Sequence, residues 1–224
     1  MEIQDPTPIP ELPALEPGVT LLESEARGPL HTLVVDHVLL ERTEAYWIDT
    51  HGYATTQPLA AIAPSDRILD RVHVARGFTP QQHFALCETL FDRTDIDPGL
   101  IVVPALDGQY RSAELYTDEP EAMLVRVLAK LAGLARRHEC PVLVTRTESD
   151  DLSQPIADCA SNHIDCVETP MGPRFVSEDF ETLVYHLEDG IVQTTFAFWE
   201  RVLEAREPLY GQAITPGMIA RGTN

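Results

Sequence analysis

The chain has 224 residues, enough for one α/β domain with a sizeable buried core, and its 44% apolar and 23% charged composition excludes wholesale disorder. Acidic residues outnumber basic ones 36 to 16, a formal charge of −20. That balance argues against a free-standing, non-specific DNA binder, whose affinity needs a basic surface.

Lys130 is the sole lysine. A carboxylate surface almost without lysine is expected of an acidic, halophilic protein, because a Debye length of about 3 Å at 1 M salt tames self-repulsion. No apolar run reaches the ~18 residues of a membrane span, and the N-terminal stretch lacks the basic flank and apolar region of a secretion signal. Four cysteines do not amount to a disulfide framework, so a reducing cytoplasm is the expected compartment.

Residues 1–18 carry five prolines and little periodicity, and read as an extended arm. The core is expected over 19–206 and a tail over 207–224. Residues 19–22 form a short strand candidate, and 32–42 have apolar residues at helical spacing. Ala45–Asp49 is a buried strand ending in an acid, and 71–75 is another strand. Thr79 caps the next helix, with Pro80 in its first turn. Leu100–Val103 is a continuous apolar strand, as in a sheet covered on both faces. Glu119–His138 is a long amphipathic helix with Met123, Val127, Leu131 and Leu134 on one side. Residues 141–145 are again a buried strand. Residues 181–186 and 191–195, flanking Glu188-Asp189-Gly190, read as a hairpin, and 196–206 as a closing helix. Strands separated by helices predict a mainly parallel sheet with antiparallel strands added at its C-terminal end.

The run AYWIDTHGYA, then DRVHVARGFTPQQHFALCETL, then LIVVPALDGQYRSAEL, then a long helix and CPVLVTRT, resembles the core of the RecA/RadA recombinase family. The likeness spans about residues 18–193 and is strongest over 46–147. It implies a RecA-like three-layer α/β core, and the missing amino-terminal helical domain implies a short archaeal RadA-type paralogue. It also locates four chemical sites.

The family's phosphate loop, G-x-x-x-x-G-K-[ST], cradles phosphates with backbone amides and a lysine. Its counterpart here runs from Glu25 through Arg27, Gly28, Pro29, Leu30 and His31 to Thr32. Only Thr32 keeps the pattern. Glu25 brings negative charge, Leu30 replaces a glycine, His31 replaces the lysine, and Pro29 has no N–H. The glutamate that orients water is replaced by His51. The acid that closes the fourth apolar strand is replaced by Pro104, with Asp107 three residues on as a loop acid. The polar sensor pair becomes Arg146 within Thr145-Arg146-Thr147. Phosphoryl transfer depends on positioning and on charge neutralisation by lysine and magnesium, so the resemblance implies the fold without the ATPase, with no cofactor and no catalytic residue.

Other constellations carry weaker chemistry. Cys159, His163 and Cys166 sit within eight residues and offer zinc-type ligands, but the C-x₆-C spacing fits no common zinc motif. Tyr110 and Arg111 are a candidate single-strand contact by stacking and charge, but a packed tyrosine with a solvated arginine is the favoured reading. Arg174 and Arg146 bracket the acidic stretch 148–166. Phe196, Phe198 and Trp199 suggest core or interface.

Three functions remain open at this level. The first is an accessory of DNA recombination or repair that binds an active RadA-type recombinase or another copy of itself, with at most weak contact to nucleic acid and none to membrane. The second is a regulatory or scaffold protein unrelated to DNA. The third is a weak nucleotide binder acting through Arg27, His31 and Thr32.

Overall fold

The computed structural model describes residues 9–93, 95–111, 119–169, 172–181 and 195–211. The elements follow in the order β1 (Gly18–Ser24), α1 (Gly28–Glu41), β2 (Ala45–Asp49), α2 (Thr56–Ile62), β3 (Val72–Arg76), α3 (Pro80–Asp92), β4 (Leu100–Val103), α4 (Glu119–His138), β5 (Pro141–Val144), α5 (Gln154–Cys159), β6 (Asn162–Thr169), β7 (Gly172–Val176) and α6 (Thr195–Gly211). One seven-stranded sheet has the order β3-β2-β4-β5-β1-β6-β7. Its first six strands are parallel and β7 is antiparallel to β6, with Asp165 opposite Val176 and Thr169 opposite Gly172.

This is an α/β, RecA-like three-layer core. Because side chains alternate across a strand, each central strand feeds two cores. Leu22, Trp47, Val102 and Leu143 point to the face covered by α1, α2 and α6. Leu21, Ile48, Ile101, Val103 and Val144 point to the face covered by α3, α4 and α5. Burying an aliphatic side chain of this size stabilises the fold by roughly 1.5–3 kcal/mol, which is why β4 and β5 read as uninterrupted apolar runs.

The predicted boundaries of β2, β4 and α4 coincide with the structure. Thr79 accepts from the Gln82 N–H at 3.2 Å, capping α3 as its sequence suggests. Three differences matter. First, α1 starts at Gly28, four residues earlier than periodicity places it, because Pro29 suits a helix's first turn. Second, the antiparallel pair of the structure is β6–β7. The hairpin expected over 181–195 lies outside the described residues, except for Glu181, bridged to Val176, and Thr195, which begins α6. Third, the arm and the tail are tied to the core. Leu12 and Leu15 are buried, and α6 continues past residue 206 to Gly211.

Asp36 of α1 holds these ends together. Arg206 grips its carboxylate through Nε at 2.7 Å and Nη2 at 2.9 Å, Tyr210 donates to it at 2.7 Å, and Arg206 Nη1 reaches the Pro10 carbonyl. Among the described residues no helix is long and apolar enough to cross a membrane.

Candidate functional site

In an open α/β sheet, ligands bind beyond the carboxyl ends of neighbouring strands whose loops depart to opposite faces. β1 and β2 lead to α1 and α2 on one face, whereas β4 and β5 lead to α4 and α5 on the other. The adjacent pairs β1/β5 and β2/β4 are therefore the two places where a ligand crevice is expected.

At β1/β5, Glu25 is exposed and Arg27 stands at the N-cap of α1 in a helical conformation, without a side-chain cap. Pro29 removes one amide from the first turn, and the His31 N–H already donates to the Arg27 carbonyl at 3.3 Å. Leu30 and Thr32 are buried in the core rather than turned to a ligand. Across the crevice, Arg146 donates through Nε to Glu23 Oε1 at 2.7 Å and pairs with it through Nη2 as well. Its charge is matched within the protein.

His31 does not stand in for a phosphate-binding lysine. Its ring is 1% exposed, stacks on Trp47 at 5.7 Å, and donates through Nε2 to the Tyr53 carbonyl at 2.7 Å. Burial holds its pKa below the usual histidine range, despite the Tyr53 bond. An uncharged, enclosed imidazole cannot neutralise a triphosphate.

At β2/β4, the 51–54 loop folds across the start of α1. Arg27 lies 4.0 Å over the Tyr53 ring and donates to the Gly52 carbonyl at 3.0 Å and the His51 carbonyl at 3.4 Å. The Tyr53 N–H donates to Asp49 Oδ1 at 2.8 Å, and Arg76 bridges Asp49 Oδ2 and the Ala54 carbonyl. Gly52 takes φ +69°, where a side chain is disfavoured. His51 is exposed, contacts the Thr50 hydroxyl at 2.9 Å, and lies against Gly108, and among the described residues no carboxylate or arginine side chain is bonded to its ring.

Pro104 is buried, and the loop after it serves another centre. Asp107 is not a chance loop acid. It is fully buried, accepts from the Thr147 N–H at 2.7 Å and hydroxyl at 2.6 Å, and takes Arg111 Nε at 2.6 Å. Arg111 also forks onto Asp150 at 2.7 and 2.8 Å, while Ser153 and Asp150 bond each other's backbone. The Asp150 hydrogen bond holds Arg111 above its ordinary pKa, and Arg111 in turn holds Asp150 below the carboxylate range. This network was missed in the sequence, although Asp107 and Arg111 at i,i+4 and the Asp-x-x-Ser turn are its local signals.

The structure places two constellations weighed in the sequence. Tyr110 is packed, as the favoured sequence reading has it, but Arg111 is not solvated. Tyr110 is 2% exposed and its hydroxyl meets His83 Nδ1 at 2.7 Å, while Arg111 is clasped by Asp107 and Asp150. Arg174 pairs with Glu181. Nor are Cys159, His163 and Cys166 brought together. His163 and Cys166 lie on opposite faces of β6, three residues apart, with His163 exposed and Cys166 buried, and burial pushes the Cys166 thiol up to about 12. No group of three metal-ligating side chains converges among the described residues.

Two cavities lie elsewhere. One of about 450 Å³ sits at the amino ends of the strands, between the 13–17 segment, α1 and the 97–99 loop. Another of about 340 Å³ runs beside β3 and α3, lined by Tyr46, Trp47, Ile48, Val74, Leu86 and Leu90. Val74 is 41% exposed and Phe78, just beyond the strand, is 75% exposed. No family model matches the chain, and no curated protein matches it.

Proposed function

We propose that this chain is a non-catalytic relative of the RecA/RadA recombinases, working as an accessory protein-interaction factor in DNA recombination or repair in a salt-rich archaeal cytoplasm. One observation carries the non-catalytic half. Around the crevice, Arg27, Arg76, Arg111 and Arg146 are engaged by the protein's own carbonyls or carboxylates, and His31 is packed as an uncharged ring. Phosphoryl transfer would need free positive charge and magnesium-holding carboxylates at that spot.

The interaction half rests on β3. It is an edge strand of the sheet among the described residues, with an apolar groove along one face and Val74 and Phe78 open to solvent. An edge strand beside a groove accepts an extended segment of a partner, through main-chain pairing and alternate side-chain pockets. The partner in this reading is an active RadA-type recombinase. Co-purification of the two purified proteins in molar KCl is expected, and Phe78→Ala together with Val74→Asp is expected to weaken it at least ten-fold. No association in that salt would overturn the reading.

A further inference from the structure

We infer that the 51–54 loop is a proton-controlled latch over the crevice, and that His31 is its pin. All four backbone carbonyls of the loop are taken, those of His51 and Gly52 by Arg27, that of Tyr53 by His31 and that of Ala54 by Arg76, and the Tyr53 N–H is taken by Asp49. The loop is thus held by side chains from β1–α1, β2 and β3 rather than by a ladder of its own.

Among these holders only His31 changes charge near neutral pH. Its Nε2 already donates to Tyr53, so the neutral ring presents Nδ1 as a bare nitrogen, buried and without a partner. A second proton must go on Nδ1, which is buried and has no hydrogen-bond partner in the closed loop, so the charged ring carries a desolvation cost there. The surroundings offset this only in part: the backbone carbonyls of Tyr53 and Arg27 favour the protonated ring, but burial outweighs them. Of the charged groups that act on the ring, Arg27 opposes protonation and Asp49 favours it, and Asp49 is itself shared with Arg76. α2 and β4, which pack nearby, carry no ionisable side chain, and Arg67, Asp70 and Arg71 of the short 3-10 turn that also packs on α1 are not among the charges that act on the ring. The Asp36 and Arg206 charges, on α1 and α6, are spent on each other.

The imidazolium is accommodated by swinging out, and the Tyr53 carbonyl loses its donor. The sign is fixed by where the proton is welcome. With the loop open, the ring titrates near 6.5, and with it closed, lower. The closed loop is therefore fully favoured above about pH 6.5, and the open population rises up to ten-fold for each pH unit below that, until the closed-state pKa is reached. Opening uncovers the first turn of α1 and frees Arg27 from Gly52 and Tyr53.

Amide exchange tests this on the intact protein in molar KCl, between pH 7.5 and 5, with rates corrected for the intrinsic pH dependence. In the wild type the Tyr53 amide is expected to lose protection about ten-fold per unit below 6.5, while staying well below the protection of the core amides of Val102 and Leu143, which exchange only through global opening. His31→Gln, which can still donate to Tyr53 without titrating, is expected to flatten that response. A flat wild-type profile, an unchanged slope in the variant, or protection at Tyr53 equal to that of the core amides would each overturn the latch. Should the variant not fold, direct NMR titration of the His31 ring in the wild type decides. A Tyr53 amide shift that tracks the ring's titration supports the latch, and one that does not overturns it.

Discussion

The carboxyl end of the sheet and its β3 edge are finished differently. At the carboxyl end, polar side chains converge and are then consumed by one another: Glu23 by Arg146, Asp49 by Arg76 and Tyr53, Asp107 by Arg111 and Thr147. At the β3 edge, the strand, its groove, Val74 and Phe78 face solvent. A site for a charged small molecule keeps unpaired charge in a crevice, whereas a docking surface keeps accessible backbone and apolar area. The first has been closed and the second left open.

The comparison breaks first if the crevice network is not structural. Asp107→Ala strands the Thr147 N–H and removes a fully buried acceptor from Arg111, so a loss of about 3 kcal/mol is expected in denaturant unfolding at fixed salt. A loss under about 1 kcal/mol would mean that the network holds nothing together.

A pH series sharpens the same point. Burial, followed by the nearby His51, pulls His83 down to about 4. The unfolded chain binds that proton near 6.5, so the stabilisation is whole above 6.5 and drains as pH falls toward 4, by up to about 1.4 kcal/mol per unit. Replacing His83 with Gln should flatten this slope in urea titrations. At Gly108 an added Cβ would meet His51 Cε1 at 2.5 Å, but His51 is exposed and free to rotate away, so Gly108→Ala should cost less than about 1 kcal/mol. Smallest of all, Phe78→Ala should change stability by less than about 0.5 kcal/mol, because the ring is mostly in solvent. A larger loss would show Phe78 to be core and would remove the open edge from the comparison.

Much of the scaffold is legible from local pattern. Leu100–Val103 and Pro141–Val144 are apolar runs with only one comfortable place, between two helical layers, and Glu119–His138 has an unambiguous apolar stripe. Short α2 and α5 escape because seven and six residues are too few to establish a period. β6 escapes because only Ile164 and Cys166 of its eight residues are buried. The crevice is half legible. The sequence lacks the phosphate-loop pattern but does not show what fills the space, since Glu23 meets Arg146 across 123 positions and Asp36 meets Arg206 across 170. Such pairings are settled by sheet order, not by neighbours along the chain. Arg111 misleads for the same reason: an arginine beside a tyrosine looks like a stacking platform until Asp150, 39 residues on, claims it.

Calorimetry of ATP with Mg²⁺ titrated into the protein in molar KCl bears most directly on the closed crevice. The structure predicts only heats of dilution, because among the described residues Arg27, Arg76, Arg111 and Arg146 around the mouth are engaged within the protein and His31 is packed against Trp47. A saturable isotherm with a stoichiometry near unity, abolished by Arg27→Ala, would contradict it.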